Sequence, residues 1–465
     1  MADMTILFAE RGVSVTLVTT PLNALRIKPT IDRATVSGLP VRLVQLDLPL
    51  HDVGLPQGCE SFELVPSRSL FWNFFAALSK LQKPVEQLLQ ELDTSPSCII
   101  SDKNLIWTAD IATKFGIPRI LFDGTSCFSL LCNHNIVASN IHESVSESEP
   151  FLVPGLGDRI EFTTAQLPGD LNSRSKDYKD FHKKVREAAE GAYGVVVNSF
   201  EEIESDYVEE YRKAKGVKVW CIGPVSLSNK TELEKAGRGN LNPVGETHEC
   251  MKWLDSLPKN SAVYVCLGSL CRLTVVQLIE LGLGLEASNR PFIWLIKGNK
   301  SQEIEKWILE DGFEEKMKGR GFLIHGWAPQ LLIFSHPAVG GFLTHCGWNS
   351  TLERVSAGIP MITWPMFADQ FYNEKLIVQV LKIGERVGVD VGIPIGDEEK
   401  FGVLVTRRQV KKAIDKVMAD GKQGEERRGR AKRLAEIAKK AIEEGGSSYL
   451  NVCLLIEDMK QLAYV

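Results

Sequence analysis

A chain of 465 residues exceeds what one hydrophobic core organises, so two domains are expected. With 44% hydrophobic and 24% charged residues the composition is that of a folded globular protein, and it excludes a disordered, collagenous or membrane-bundle chain. Lys and Arg number 54 against 59 Asp and Glu, a net charge of −5, which argues against general affinity for nucleic acid or anionic membranes.

In chain order, residues 1–12 read as a helix stopped at Gly12, followed directly by a strand over Val13–Thr20. Further strands are predicted at Val41–Leu46, Ser97–Ser101 and Arg119–Phe122, with apolar residues at helical spacing over 69–92 and 104–115. The stretch from Gly223 to His248 is rich in Gly, Pro, Asn, Lys and Glu, shows no period, and reads as a linker. The pattern restarts with Ala262–Leu267, Phe292–Ile296, Gly321–His325, Gly340–Thr344 and Pro360–Thr363. Short β-branched strands alternating with longer helices predict an α/β protein of two doubly wound parallel sheets. The expected divisions are 1–222, a linker over 223–250, 251–445, and a terminal helix over 446–465 that returns to the first domain. Ligands of such sheets lie at the carboxyl ends of the strands, so the predicted site is a cleft between the two.

Several features point away from other functions. The ten cysteines are scattered without a C-x-x-C pair and read as reduced thiols. No segment reaches the roughly 18 apolar residues that span a bilayer, and no secretory leader is recognisable, so a cytoplasmic location is expected. The sequons at Asn229 and Asn349 are therefore read as chance matches. Gly282, Gly284 and Ala287 have the letters of a dinucleotide fingerprint but follow a helical run rather than a strand, so they are expected inside a helix. The basic run 425–444 keeps apolar residues at helical spacing and reads as a solvated amphipathic helix. Walker A, zinc-protease and nucleophile-elbow motifs are missing, and no Asp-x-Asp pair is present to hold a catalytic metal.

The informative segment runs from Trp327-Ala-Pro-Gln330 through His345-Cys-Gly-Trp348-Asn349-Ser350-Thr-Leu-Glu353 to Asp369-Gln370. A strand, a turn at His345 and a helix opening at Asn349 would present unpaired amides and the positive end of the helix dipole, a site for an anion such as a diphosphate. His345, Asn349 and Ser350 add side-chain donors there. Glu353 stands about one turn further in, where a carboxylate can accept from two vicinal hydroxyls, and Trp327 offers a flat face for a base. Taken singly these residues could equally be a cap, core aromatics or the start of the next helix.

As a set, Trp327 to Gln370 closely resembles the signature box of plant secondary-product UDP-glycosyltransferases. Val153-Pro-Gly-Leu156, Phe162-Thr-Thr-Ala-Gln-Leu-Pro168 and Val263-Tyr-Val-Cys-Leu-Gly-Ser269 are similar to the subgroup acting on triterpenoids, steroids and flavonoids. The resemblance implies a GT-B fold, two Rossmann-like domains facing a cleft, and inverting transfer from a UDP-sugar to an acceptor hydroxyl. Trp327 would stack on uracil, with Ala328 and Gln330 holding the nucleoside and Glu353 the ribose. Ser269, His345, Asn349 and Ser350 would hold the diphosphate, with Trp348, Asp369 and Gln370 at the sugar; the terminal Gln leans toward glucose. Partners are thus a UDP-sugar and a small lipophilic acceptor, with no cofactor and no metal. Oligomeric state is not legible, and a monomer is compatible with the motifs.

Asp102 matches the carboxylate that orients the catalytic base of the family. That base is a His in the loop after the first strand, shortly before the helix that here begins at Met1. The eight histidines, at 51, 134, 142, 182, 248, 325, 336 and 345, include none at the matching place. The expectation is that Met1 is internal to a longer active enzyme, with a UDP-sugar-binding protein lacking turnover as the alternative. Asp123 stands where members of the family often carry His, and either alters acceptor preference or is a surface difference.

Overall fold

The computed structural model describes residues 1–172, 175–238, 245–296 and 301–463. Fourteen strands are described in chain order. Those of the first half are β1 Val15–Thr19, β2 Val41–Gln45, β3 Ile99–Asp102, β4 Arg119–Asp123, β5 Phe151–Leu152, β6 Glu161–Phe162, β7 Gly194–Val197 and β8 Lys218–Cys221. Those of the second are β9 Ala262–Cys266, β10 Phe292–Ile296, β11 Gly321–His325, β12 Val339–Thr344, β13 Met361–Thr363 and β14 Gly384–Arg386. All pairings are parallel except the short hairpin β5–β6.

The second-half sheet has the order β11-β10-β9-β12-β13-β14. Strands β9, β10 and β12 are buried along their whole length because helices cover both faces, which is why they read as continuous apolar runs. The chain winds outward from β9 to β11, then crosses back to β12, so β9 and β12 flank the point where strand order reverses. A crevice opens at the carboxyl ends of two such strands.

The first half is built differently. Its strands form a four-stranded sheet, β3-β4-β7-β8, a separate parallel pair, β1–β2, and the hairpin β5–β6. The helix Ala2–Ala9 and the last helix, Ser447–Ala463, close one face of the larger sheet, with Met4, Phe8, Ile120, Trp220, Val452 and Leu455 in one cluster. Asn451 donates to the Cys221 carbonyl at 3.1 Å and Lys218 pairs with Asp458 at 2.6 Å.

Local differences from the expectations have local causes. The helix expected over 69–92 is two, Phe71–Ser79 and Gln82–Gln90, because the Pro84 ring opposes the carbonyl of Lys80 four residues back. The helix expected over 104–115 starts only at Thr108, since the Asp102 carboxylate accepts from the Asn104 amide at 2.8 Å and holds a turn. The aperiodic linker contains a helix, Glu232–Gly237, capped reciprocally by Thr231 and Glu234, and another over Gly245–Asp255. Linker residues 239–244 lie outside the described residues. Gly282 and Gly284 do lie inside a helix, Val275–Ser288, where Trp294, Trp307 and Val410 crowd against them. The basic run forms the helix Lys422–Ile442, with Ala431, Ala435, Ala438 and Ala441 buried.

Candidate functional site

The carboxyl ends of β9 and β12 lead into Leu267-Gly268-Ser269 and His345-Cys346-Gly347. Gly268 has φ 79°, and a Cβ there would stand 2.6 Å from Cε1 of His345. A Cβ on Gly347 would stand 2.3 Å from Nε2 of the same ring. The imidazole is thus wedged between two glycines, and side chains at either would displace it. Cys346, at φ 65°, occupies a left-handed conformation disfavoured for any residue with a Cβ, and the turn is held by Asn373, whose Nδ2 donates to the Cys346 carbonyl at 2.9 Å.

This turn launches the helix Trp348–Ala357, whose N-cap, Gly347, provides no side chain to the first amides. Those amides and the helix dipole therefore favour an anion at the crevice. His345 contributes no positive charge of its own, because burial lowers its pKa to about 4 and keeps it neutral at physiological pH. Its buried Nδ1 has no hydrogen-bond partner. Asn349 is exposed at the helix start and Ser350 is half-buried behind it.

A cavity of about 160 Å³ adjoins the helix, lined by Trp327, Ala328, Gln330, Glu353, Tyr264 and Arg238 among others. Gln330 Nε2 donates to Glu353 Oε2 at 2.7 Å, so the carboxylate is oriented from below. Its other oxygen accepts from Arg238. Half-buried Trp327 follows β11 after Gly326, whose φ of 96° reverses the chain.

Two predicted residues are placed differently from expectation. Trp348 is 2% exposed and its Nε1 donates to the Asn198 carbonyl at 2.8 Å, so its ring is packed between the two halves and is not presented to a sugar. Gln370 is also buried; its carbonyl accepts from the Met366 and Phe367 amides at 2.8 and 3.2 Å, which shapes the loop. Ser269 is exposed three residues beyond the end of β9. Asp369 is partly buried at the N-cap of the helix Gln370–Lys375. Burial raises its pKa to about 6, and Asn373 donates to it at 2.8 Å.

From the first half, Asp102 ends β3, where burial raises its pKa and the Asn104 amide partly offsets this. Beside it Lys103 pairs with Asp123 at 2.7 Å. Burial opposes the Lys103 charge, but Asp123, with Asp102 and Asp369, raises its pKa above the ordinary value. Asp123 is 5% exposed, so it is no surface difference. The halves also meet where Ser126 and Ser129 donate to Asn373 Oδ1 at 3.2 and 2.9 Å, and where Asn198 donates to Asn349 at 3.2 Å. Asn373, Asn198, Lys103 and Arg238 escape sequence reasoning. Only Asn373 carries a signal, one helical turn beyond Asp369.

Next to this charged floor lies an aromatic wall. Trp72 and Phe75 face Phe181 at 5.5 and 4.6 Å between ring centroids, and Tyr178 meets His182 at 4.6 Å with the rings tilted by 44°. Among the described residues no group of three His, Cys, Asp or Glu side chains is placed to hold a metal ion. No described helix is long and apolar enough to cross a membrane.

Comparison with known proteins shows the family and the fold. The family model for UDP-glucoronosyl and UDP-glucosyl transferase matches residues 240–392. UDP-glycosyltransferase 73E1 of Stevia rebaudiana is 50% identical over 465 residues, covering 99% of this chain and 93% of the relative. UDP-glycosyltransferase 73C5 of Arabidopsis thaliana is 50% identical over 466 residues, covering 100% and 94%. The crystal structure of Glycyrrhiza uralensis UGT73P12 complexed with glycyrrhetinic acid 3-O-monoglucuronide superposes with a TM-score of 0.91 at 38% identity, covering 99% of this chain and 93% of that one. Phytolacca americana UGT2 complexed with UDP-2fluoro-glucose and pterostilbene gives 0.75 at 25% identity, covering 99% and 96%. The two facing α/β halves are thus those of a GT-B enzyme. The chain belongs to the plant UDP-glycosyltransferases, enzymes that move a sugar from a UDP-sugar to a small-molecule acceptor.

Proposed function

We propose that this enzyme transfers glucose from UDP-glucose to a hydroxyl of a lipophilic plant metabolite, a triterpenoid, steroid or flavonoid, by single displacement with inversion. The observation that carries the donor side is the meeting, at the strand-order reversal, of an uncapped helix start with a cavity containing Trp327 and Glu353. Trp327 stacks on uracil, Ala328 and Gln330 hold the nucleoside, and Glu353 accepts from the ribose hydroxyls. Charge on the departing diphosphate is met by the helix amides, Asn349, Ser350 and the neutral His345 as a hydrogen-bond donor, with Ser269 closing the other side. Because His345 is neutral, the electrostatic work falls mainly on the helix. Asp369 receives sugar hydroxyls, and Trp348 contributes through its backbone amide.

Asp102 acts on the proton side, receiving or directing the acceptor's proton as UDP leaves. The aromatic wall of Trp72, Phe75 and Phe181 supports a flat apolar acceptor. The divisions at 222, 250 and 445 are kept as the domain boundaries of this reading, and ten cysteines read as reduced thiols fit a reducing, cytoplasmic setting. The test is UDP release from UDP-glucose and UDP-glucuronate with triterpenoid and flavonoid panels, with the anomeric configuration of the product read by NMR. A β-glucoside from the α-linked donor is expected. Retained configuration would sink the single displacement, and preference for UDP-glucuronate would sink the donor assignment.

A further inference from the structure

We propose that Arg238 is a clasp between the two halves that the nucleotide must open, the ribose hydroxyls displacing its guanidinium from Glu353. The inference rests on the reading of Glu353 as the ribose acceptor. Arg238 lies in the linker, directly after the helix Glu232–Gly237. Its Nη1 donates to Glu353 Oε1 in the second half, while its Nε donates to Asp3 Oδ2 in the first at 2.9 Å. One side chain therefore joins the helices Ala2–Ala9 and Trp348–Ala357 through the segment that connects the halves.

Two further observations set this contact against the nucleotide. The Glu353 side chain is only 5% exposed, and both of its oxygens already accept, one from Gln330 and the other from Arg238, so a pair of hydroxyls must compete with these donors for the carboxylate. The cavity that Arg238 and Lys235 help to wall holds about 160 Å³, below the ~300 Å³ at which ligand pockets begin. Gln330 lies at the floor of that cavity and can stay; Arg238, with 29% of its side chain exposed, is the partner that can leave. Binding of the donor then releases the linker from Glu353 while Asp3 retains the guanidinium in the first half.

The experiment is calorimetric titration of UDP into the full chain and its variants, with folding checked by circular dichroism. Arg238→Ala should bind UDP about 3- to 10-fold more tightly at low salt, the worth of one partly exposed charge-assisted contact. The gain should shrink at about 1 M salt, where charges are screened within ~3 Å. Arg238→Lys, which cannot fork to both carboxylates, and Asp3→Asn should give smaller gains in the same direction, and either carries the test if the alanine variant does not fold. Equal or weaker binding by folded variants overturns the clasp; weaker binding would make the guanidinium part of the nucleotide site. Glu353→Ala separates the two ideas. Unchanged UDP affinity there removes the ribose assignment itself, whereas a loss there without a gain in the Arg238 variants removes the clasp alone.

Discussion

The two halves share an α/β plan but differ in how firmly they are built. In the second, six parallel strands run without interruption, and β9, β10 and β12 are buried along their whole length. In the first, β1–β2 and β3-β4-β7-β8 are separate sheets, and β1, β2 and β3 are only partly buried. The difference matches two kinds of recognition. A diphosphate and a ribose present fixed charges and hydroxyls, which reward amides and a carboxylate held rigidly by a buried sheet. In the proposed function the acceptor is met by aromatic side chains on helices Phe71–Ser79 and Lys176–Glu190, whose contacts adapt to shape more than to charge.

Four measurements would break or sharpen that contrast. Asp102→Asn, on the first-half side, should lower kcat by ~100-fold or more, within the range of general acid–base contributions, with UDP affinity unchanged. An equal loss in UDP affinity would show that Asp102 serves the donor half. The second concerns His345, whose pKa falls from 6.5 to about 4 on burial. Between these values the unfolded chain binds more protons than the folded one, so stability rises with pH through the window and is lost as pH falls toward 4. Urea unfolding of wild type against His345→Asn should diverge over that window by on the order of 3 kcal/mol, the wild type losing more as the solution is acidified. Parallel curves would show that the ring is not wedged dry.

Gly268→Ala tests the same wedge from the other side. With φ at 79° and His345 at 2.6 Å from the added methyl, it should cost about 2 kcal/mol in urea unfolding and weaken UDP binding. Unchanged stability would mean the second-half crevice yields more easily than the comparison holds. The smallest effect belongs to the first half. Lys103→Met, breaking a partly exposed ion pair with Asp123, should shift acceptor KM by about threefold and leave UDP affinity alone. A change in UDP affinity would place the cation on the donor side, toward Asp369.

The halves are also unequally legible. The fully buried β10 is a continuous apolar run and was predictable to the residue, as was the partly buried β11, whereas the equally buried β7, with β8 and the three-residue β14, went unread. The helix Glu232–Gly237 was signalled by the Thr231 and Glu234 capping pair, yet the surrounding Gly, Asn and Lys masked it. Trp327, Gln330 and Glu353, which the resemblance grouped at the nucleoside, line one cavity. The resemblance could not show that the Trp348 ring turns into the contact between halves, or that Gln370 spends its carbonyl on its own loop.

Most of the strands and helices, the turn before the helix at Trp348 and the spacing of Trp327, Gln330 and Glu353 follow from local pattern, because periodicity and turn chemistry act within a few residues. The neutrality of His345, the Lys103–Asp123 pair, the Asn373 bridge and the hold of Arg238 on Glu353 depend on groups distant in sequence. Arg238 and Glu353 are 115 positions apart. Burial and charge pairing are set by which surfaces the fold brings face to face, and no local pattern encodes that.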